Sequence, residues 1–266
     1  MAVIELAEAK VAYRLDGTGP GLVLVHGTGG NAETNWDLVV GRLARRWTVV
    51  RPNYSGSGDT TDDGGPLTVG KLAAQVVAAA EAAGAVPFDL VGFSLGAAVA
   101  IKIAAGYPDK VRSLVLLAGF AGSGDSRLTL QFRLWRRLIE RDRDALARLI
   151  LLTGFSPAFL SSLDDEAVEK SVADIVAGNN WPGMARQVDL DLTLDVRADA
   201  ARIIRATLVI GCTHDHMVPS AHAKDLAVLI PGAIYASLDS GHLAPIETPS
   251  RLLDLLEPFL LGEAAT

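Results

Sequence analysis

Strand-length apolar runs alternate with longer helical segments along most of the chain. Leu22–His26 and Phe88–Phe93 are almost continuously apolar, which is typical of strands buried on both faces of a sheet. The predicted strands are Val3–Leu6, Lys10–Leu15, Leu22–His26, Thr48–Arg51, Phe88–Phe93, Val111–Ala118, Thr207–Cys212 and Ala233–Leu238. The predicted helices are Asn35–Arg45, Thr68–Ala83, Leu95–Gly106, Ala221–Leu229 and Pro249–Leu260. After an opening hairpin, this alternation predicts an α/β fold with a parallel sheet and helices on both faces.

Residues 122–202 interrupt the alternation, because they contain no strong strand pattern. They hold the amphipathic segments Leu128–Glu140, Asp144–Leu152 and Glu166–Ala177. Active sites of open α/β sheets lie beyond the carboxyl ends of the strands, where this segment leaves the core. We therefore expect a core domain of residues 1–121 and 203–266 with a helical cap of residues 122–202. The alternative is a second helical layer without a role at a site.

Composition and charge narrow the classes of function. The chain has 266 residues and a net charge of −7, from 31 acidic and 24 basic residues. An acidic chain without a basic run is a poor partner for nucleic acid or an anionic membrane. The single cysteine, Cys212, excludes an intrachain disulfide and a zinc site of several cysteines. No signal-peptide pattern and no run of about 18 apolar residues is present, so we expect a cytoplasmic protein.

The sequence Gly92-Phe93-Ser94-Leu95-Gly96 joins a predicted strand to a predicted helix. The two glycines remove side chains that would collide in a very tight turn, and Ser94 would stand at the sheet edge. The helix N-terminus there favours developing negative charge. Ser94 is therefore the candidate nucleophile. The alternative is a helix-capping serine between turn glycines.

A serine needs a base to accept its proton. The chain has five histidines: His26, His214, His216, His222 and His242. His242 follows the last predicted strand and would share the sheet edge of Ser94, so it is the candidate base. His26 ends a strand, where packing or loop orientation is the simpler role, and His222 lies within a predicted helix. A solvated loop histidine is the alternative for His242.

An acid must orient the base and stabilise its protonated form. Asp215 follows a strand end in GCTHDHMVP and is the first candidate. Asp125, after another strand, is the second candidate. Asp239 is the third, because at the very end of the last strand its side chain could point away from His242. The alternative for Asp215 is a helix-capping or solvated carboxylate.

The glycine loop, His26–Gly30, follows an apolar strand and can turn backbone N–H groups toward a developing oxyanion. We expect one donor from Leu95, the residue after the nucleophile, and a second from Thr28, with Gly29 as the substitute. The alternative is a flexible loop.

Taken together, Ser94, Asp215 and His242 in this order, with the upstream glycine loop, resemble the α/β-hydrolase superfamily. The segments that carry the resemblance are HGTGG, NYSGSGDT, GFSLG, HDHMVP and SGHLAPIETP, and they cover nearly the whole chain. The resemblance implies a mostly parallel eight-stranded sheet with a helical cap, as in the small esterases, lactonases and C–C-bond hydrolases. His214 and His216, which flank the acid, are not part of the family pattern.

The resemblance implies a serine hydrolase that cleaves a small to medium, fairly hydrophobic ester, lactone or thioester through an acyl-enzyme. It implies no metal or organic cofactor, a small-molecule substrate, and a monomer or homodimer. Non-hydrolytic chemistry on the same fold (a lyase, cyclase, cofactor-free oxygenase or perhydrolase) and C–C bond hydrolysis are the alternatives. The candidate pocket residues are His26, Phe93, Phe120, Trp135, Phe155, Phe159, Trp181, His216 and Leu243. For most of the aromatic residues, the alternative is the internal core of the cap.

Two further hypotheses use other residues. Gly27–Ala32 fits the pattern G-x-G-x-x-A after a strand, and Arg51 could read a 2′-phosphate, which together would indicate a dinucleotide-binding oxidoreductase. His214-Asp215-His216 could belong to a metallohydrolase, but three adjacent residues rarely face one ion. The first hypothesis leaves Ser94, Asp215 and His242 unexplained, and the sequence offers the second no further cluster of His and Asp.

Overall fold

A nine-stranded sheet forms the centre of the protein. The structure is a computed structural model that describes residues 1–263. In this part of the chain the strands are β1 (Ala2–Leu6), β2 (Ala9–Asp16), β3 (Gly21–Val25), β4 (Thr48–Pro52), β5 (Thr61–Asp62), β6 (Phe88–Phe93), β7 (Val111–Leu117), β8 (Ala206–Cys212) and β9 (Ile234–Leu238). They lie in the order β1-β2-β4-β3-β6-β7-β8-β9, and β5 pairs with β2. In this order, each pair of neighbouring strands from β4 through β3, β6, β7 and β8 to β9 is parallel, which confirms the predicted fold class.

The eight predicted strands are all present, and the sheet contains one strand more than predicted. The additional strand, β5, has two residues and pairs antiparallel with Ala9 and Lys10 of β2. Two residues carry no periodic pattern, so the sequence gives no signal for such a strand.

Helices flank the sheet on both faces. Within residues 1–263 they are α1 (Asp37–Leu43), α2 (Val69–Ala82), α3 (Leu95–Gly106), α4 (Ser126–Arg141), α5 (Arg143–Gly154), α6 (Pro157–Leu160), α7 (Asp165–Gly178), α8 (Trp181–Asp191), α9 (Arg197–Ala200), α10 (Ser220–Leu229), α11 (Ala244–Glu247) and α12 (Pro249–Leu260). The first helix is shorter than the predicted Asn35–Arg45. No helix among these is long and apolar enough to cross a membrane.

Alternate residues of the buried strands pack into two separate apolar cores. Val23 and Val25 of β3 belong to the core that contains α2, α3 and α10, whereas Leu22 and Leu24 belong to the core that contains α1 and α12. Successive side chains of a strand point to opposite faces, so a strand covered on both faces must be apolar throughout. This explains the continuous apolar run of β3.

Six helices, α4 to α9, lie between β7 and β8 and within residues 122–202, which we call the insertion. Five of its helices have an N-cap residue whose side chain accepts a backbone N–H of the first turn: Asp125, Asp142, Ser156, Asp164 and Asn180. Such N-caps satisfy N–H groups that have no partner within the helix. Short polar residues therefore divide this segment into separate helices.

Helix α8 brings the insertion into direct contact with the core. A Cβ atom at Gly183 of α8 would lie 2.2 Å from the carbonyl oxygen of Gly56, so the two backbones touch. Only glycine allows such an approach. Residue 56 lies in the loop after β4, beside the carboxyl end of the parallel sheet.

Candidate active site

Ser94 lies in a sharp turn between β6 and α3. Its backbone has φ +56° and ψ −121°, a conformation that is rare for residues other than glycine. A Cβ atom at Gly92 would lie 2.3 Å from the carbonyl oxygen of Gly96, and one at Gly96 would lie 2.3 Å from that of Val25. The two glycines therefore permit the turn, and the Ser94 N–H donates to the carbonyl of Leu117 in β7.

His242 joins Ser94 to Asp215. Its Nε2 lies 3.1 Å from Ser94 Oγ, and its Nδ1 lies 2.6 Å from Asp215 Oδ2. The second oxygen of Asp215 accepts the N–H groups of Met217 (2.8 Å) and Val218 (2.7 Å). Both His242 and Asp215 are buried. The arrangement holds Nε2 where it can accept the proton of the Ser94 hydroxyl.

The two other candidate acids have different partners. Asp125 caps helix α4 and pairs with His222 Nε2 at 3.1 Å. Asp239 pairs with His214 Nε2 at 3.0 Å and with Arg251. Among the residues described, only Asp215 of the three forms a hydrogen bond with His242.

Glu247, which is not among the predicted site residues, holds the loop that carries His242. Its Oε2 accepts the N–H of Gly241 (3.0 Å) and the N–H of Ser156 in the insertion (2.9 Å). The Leu243 N–H donates to the carbonyl of Gly154 at 2.9 Å. The histidine loop is therefore attached to the insertion on both sides of His242.

The glycine loop lies against Ser94. A Cβ atom at Gly27 would be 2.9 Å from Ser94 Cβ. The Gly29 N–H donates to Gln187 Oε1 at 2.8 Å, so the predicted substitute donor already has a partner. Thr28 N–H has no acceptor among residues 1–263, and Leu95 N–H opens α3, where no partner exists within the helix. These two amides are available as hydrogen-bond donors.

Asp191, at the end of α8, reaches the same loop from the insertion. Its Oδ2 and the Thr28 hydroxyl share a hydrogen bond of 2.6 Å. The side chain is fully buried, and Oδ1 has no partner in the described part of the chain. Burial raises the pKa of Asp191 to about 8, although the bond from Thr28 opposes this shift. The sequence DLDLTLDV around this residue gave no signal of such a role.

A cavity of about 360 Å³ opens beside Ser94 and His242. Its lining is mostly apolar and comes from both the insertion and the core. The apolar side chains that line it include Phe93, Trp135, Ile150, Leu151, Phe155, Ile175, Met184, Met217, Val218 and Leu243. Four of the nine predicted pocket residues are among them: Phe93, Trp135, Phe155 and Leu243.

The prediction of the pocket is wrong for the aromatic residues Phe120, Phe159 and Trp181, which do not line this cavity. Phe120 is fully buried and packs on Phe132, with ring centroids 5.8 Å apart. Phe159 packs on Phe155 and lines a separate surface groove. Trp181 is held inside the insertion, because its Nε1 donates to the carbonyl of Val176 at 3.0 Å.

The prediction of the pocket is also wrong for His26 and His216, which do not line this cavity. His26 is fully buried under the sheet edge and stacks on Tyr54, with ring centroids 4.0 Å apart. Desolvation lowers the pKa of His26 to about 4, so its ring is neutral near pH 7. His216 is exposed, and its carbonyl accepts a hydrogen bond from Arg127.

The residues of the two other hypotheses are engaged elsewhere. Arg51 pairs with Asp16 (2.9 Å) and Asp37 (2.6 Å), so its guanidinium is not free to bind a phosphate. Asp215 turns inward to His242, whereas the neighbouring His214 bonds to Asp239. In residues 1–263 no group of three or more His, Cys, Asp or Glu is arranged to hold a metal ion.

Comparison with known proteins gives the same family as the geometry. The sequence model of the Alpha/beta hydrolase family matches residues 22–255. Pyrrolizixenacetamide deacetylase of Xenorhabdus hominickii is 57% identical over 263 residues, which cover 99% of each chain. A crystal structure of a hydrolase from Pseudomonas aeruginosa PA01 is similar with a TM-score of 0.82 and 28% identity, over 96% of this chain and 98% of the other.

The fold is also shared with more distant proteins. The enol-lactonase from Burkholderia xenovorans LB400 superposes with a TM-score of 0.87 at 24% identity, over 98% of this chain and all of the other. With a family match over most of its length and a relative that is 57% identical, the chain belongs to the alpha/beta hydrolase family.

Proposed function

We propose that this protein is a serine hydrolase that transfers an acyl group from its substrate to Ser94 and then to water. The observation that carries the proposal is the buried His242 ring, which spans Ser94 Oγ at 3.1 Å and Asp215 Oδ2 at 2.6 Å. The ring lies beside a mostly apolar cavity. A nucleophile, a base and an orienting acid in this order form a catalytic triad.

In the first step Ser94 Oγ attacks the acyl carbonyl carbon while His242 Nε2 takes the hydroxyl proton. Asp215 holds Nδ1–H and stabilises the imidazolium that forms. The tetrahedral intermediate collapses when Nε2 donates the proton to the leaving atom, and the bond between the acyl carbon and this atom breaks. Water, deprotonated by the same Nε2, then attacks the acyl carbon. The bond between this carbon and Ser94 Oγ breaks, Nε2 returns its proton to Oγ, and the carboxylic acid is released.

The carbonyl oxygen becomes negatively charged in each tetrahedral intermediate. We assign the backbone N–H groups of Thr28 and Leu95 as its donors, because neither has an acceptor among the described residues and the glycine loop touches Ser94. Preorganised donors of this kind contribute about 10²- to 10³-fold each to the rate.

For the substrate, we propose a short acyl group, acetyl in the simplest case, on an amide or ester whose remaining part is largely apolar. The mostly apolar lining of the 360 Å³ cavity supports the apolar part. The acetyl group is supported by the 57% identical relative, which is named pyrrolizixenacetamide deacetylase. An amide extends the predicted esters, lactones and thioesters, because only the leaving atom changes from oxygen or sulfur to nitrogen.

We further propose that the insertion is a cap over this site. Trp135 and Met184 of the insertion line the cavity together with core residues such as Phe93. The cytoplasmic location and the monomer or homodimer stay predictions, which cell fractionation and light scattering would test.

A fluorophosphonate probe and a set of chromogenic acyl compounds test the proposal. The purified protein is labelled, and the site is located by peptide mass spectrometry. Turnover of p-nitrophenyl acetate, butyrate and octanoate and of p-nitroacetanilide is measured in parallel. The variant Ser94→Ala is compared with Ser250→Ala, which removes an exposed serine outside the cavity.

We expect the label on Ser94, faster turnover of acetate than of octanoate, and slow cleavage of the anilide. Ser94→Ala should lose both label and turnover, whereas Ser250→Ala should keep them. Label without turnover would favour C–C bond hydrolysis or non-hydrolytic chemistry. A folded protein without label on Ser94 would contradict the proposal.

A further inference from the structure

Two buried side chains of α8 in the insertion hold consecutive residues of the glycine loop. Gln187 Oε1 accepts the Gly29 N–H at 2.8 Å, and the hydrogen bond between Asp191 and the Thr28 hydroxyl measures 2.6 Å. Gln187 and Asp191 are four residues apart, so they lie on one face of the helix. Both side chains have zero exposure to solvent.

Further contacts anchor α8 itself. The amide nitrogen of Gln187 donates to Ser57 Oγ at 2.9 Å, and the backbone of Gly183 rests on that of Gly56. The helix is thereby fixed to the loop after β4 as well as to the glycine loop. Buried polar side chains with satisfied hydrogen bonds determine position more strictly than apolar contacts do.

The contacts also decide which amide of the glycine loop is free. Gln187 occupies the Gly29 N–H, whereas the Thr28 N–H has no acceptor among residues 1–263. The bond at the Thr28 side chain limits rotation of the peptide that carries this N–H. An oxyanion donor is effective only when it is aimed in advance at the position of the charge.

We propose that Gln187 and Asp191 are positioning residues that hold the glycine loop so that the Thr28 N–H faces the oxyanion formed at Ser94. This inference rests on the proposed function. It gives the insertion a part in transition-state stabilisation in addition to covering the cavity.

Asp191 fits this role in its neutral form. A buried charged carboxylate with an unpartnered oxygen is costly, whereas a neutral carboxyl group in the same place costs less because it carries no net charge. Desolvation raises the pKa of Asp191 to about 8, which favours the protonated form at neutral pH. Above that pH, a negative charge beside the glycine loop would oppose the charge that develops on the oxyanion.

The charged groups around Asp191 do not neutralise it. On α8, Arg186 pairs with Asp62, and Arg136 of the adjoining α4 pairs with Asp189. From the core, Tyr54 faces it with a pKa raised by burial and by the charge of Asp191. His26, stacked on Tyr54, is neutral near pH 7 because burial lowers its pKa to about 4.

The chain offers a matched control for Gln187. Gln75 of α2 is also a buried glutamine that accepts a backbone N–H, from Ser55 at 2.8 Å, and donates to a serine hydroxyl, Ser55 Oγ, at 2.8 Å. It holds the neighbouring loop and does not bond to the glycine loop. Gln187→Leu and Gln75→Leu therefore remove the same kind of contact at two places.

The test compares kcat, KM and melting temperature for p-nitrophenyl acetate hydrolysis by the two variants and the wild type. We expect Gln187→Leu to lower kcat by about tenfold to a hundredfold, since small displacements of catalytic groups cost this much, with KM changed by less than about threefold. Gln75→Leu should leave kcat within about threefold of the wild type at a similar loss of melting temperature. Equal kcat values for both variants would overturn the proposal.

Substitutions of Asp191 and Thr28 test the other contact, including the case in which Gln187→Leu does not fold. Asp191→Asn keeps an acceptor for Thr28 but cannot ionise. We expect the kcat of the wild type to fall above about pH 8, and the kcat of Asp191→Asn to stay within about threefold of the wild type at pH 7 and to show no such fall. A fall that persists in Asp191→Asn would contradict the role of Asp191.

Thr28→Val removes the hydroxyl and keeps the backbone N–H, whereas Thr28→Ser keeps both. We expect Thr28→Val to lower kcat by about tenfold or more and Thr28→Ser to retain it. Unchanged kcat in Thr28→Val would count against the inference. A wild type that neither labels at Ser94 nor turns over any compound would instead overturn the proposed function, and this inference with it.

Discussion

His242 Nδ1 lies 2.6 Å from Asp215 Oδ2, and the two side chains meet in a buried pair between the loops after β8 and β9. The same aspartate accepts two backbone N–H groups of its own loop through Oδ1. The loop thus holds the carboxylate through contacts that do not involve the histidine. This geometry holds the His242 ring with Nε2 directed to Ser94.

We expect Asp215→Asn to lower kcat by about 10²- to 10⁴-fold, because an amide in this position favours the wrong tautomer of His242. The two backbone bonds to Oδ1 should persist, so the melting temperature should change little. Steady-state hydrolysis of p-nitrophenyl acetate and thermal unfolding measure the two effects.

Asp125→Asn and Asp239→Asn are the controls, because these acids pair with His222 and His214 instead. We expect both to keep kcat within about threefold of the wild type. A large loss of kcat in either control, with normal activity in Asp215→Asn, would reverse the assignment of the acid.

The turn at Ser94 should depend on Gly96 for its geometry. A Cβ at Gly96 would lie 2.3 Å from the carbonyl oxygen of Val25 and 2.5 Å from that of His26, and backbone atoms cannot yield to it cheaply. We expect Gly96→Ala to destabilise the fold by about 2 kcal/mol or more and to reduce turnover.

Gly106, at the other end of α3, provides the comparison, since a Cβ there would meet no atom within 4 Å. Gly106→Ala should be neutral or stabilising by up to about 1 kcal/mol. Denaturant unfolding of both variants measures the difference, and equal stabilities would contradict the close approach at Gly96.

The attachment of the histidine loop to the insertion should depend on Glu247. Loss of its carboxylate leaves the N–H groups of Gly241 and Ser156 without their acceptor. We expect Glu247→Ala to lower the free energy of unfolding by about 2 kcal/mol and kcat by about tenfold. Glu247→Gln keeps one acceptor oxygen and should lose less of both, whereas a loss equal to that of the alanine variant would argue against the proposed contacts.

Burial of His26 should make the stability of the fold sensitive to acid. The folded-state pKa of about 4 lies below the ordinary value of 6.5. As the pH falls from 6.5 to about 4, the unfolded chain therefore takes up a proton that the folded chain refuses. The contribution of His26 to stability is complete above pH 6.5 and falls by about 3 kcal/mol down to pH 4.

His26→Phe removes this titration and can still stack on Tyr54. The difference in the free energy of unfolding between this variant and the wild type should therefore move in favour of the variant as the pH falls from 7 to 4. His214→Gln, which alters an exposed histidine, is the control. The comparison is made at each pH because the raised pKa of Asp191 gives the opposite slope between pH 4 and 8. A constant difference for His26→Phe would contradict the burial argument.

Local sequence patterns were sufficient to predict the strands and helices of the core. The apolar runs at β3 and β6 and the helical period of α3 follow from which faces of each element are buried, and burial leaves a periodic trace in the sequence. The glycines two residues before and after Ser94 also mark the turn in the sequence, because close contact of backbones leaves no room for a side chain there. The two-residue strand β5 left no such trace.

Whatever depends on distance between remote segments was decided only by the tertiary structure. Asp215, Asp125 and Asp239 all follow strand ends, and only the relative position of the loops brings Asp215 to His242. Likewise, the sequence of the insertion shows which residues are apolar but not which of them face the cavity. Trp135 lines the cavity and Trp181 does not, although both are tryptophans of the same segment.

The contacts of α8 with the glycine loop are the clearest case. Gln187 and Asp191 are separated from Gly29 and Thr28 by about 160 residues, and a polar residue in an amphipathic helix carries no mark of its partner. The sequence by itself therefore predicted the alternation of strands and helices from local periodicity, and its motifs around Ser94, Asp215 and His242 carried the resemblance to the family. The partners of the buried acids and the walls of the cavity depend on how separate elements pack, so they emerged only from the folded chain.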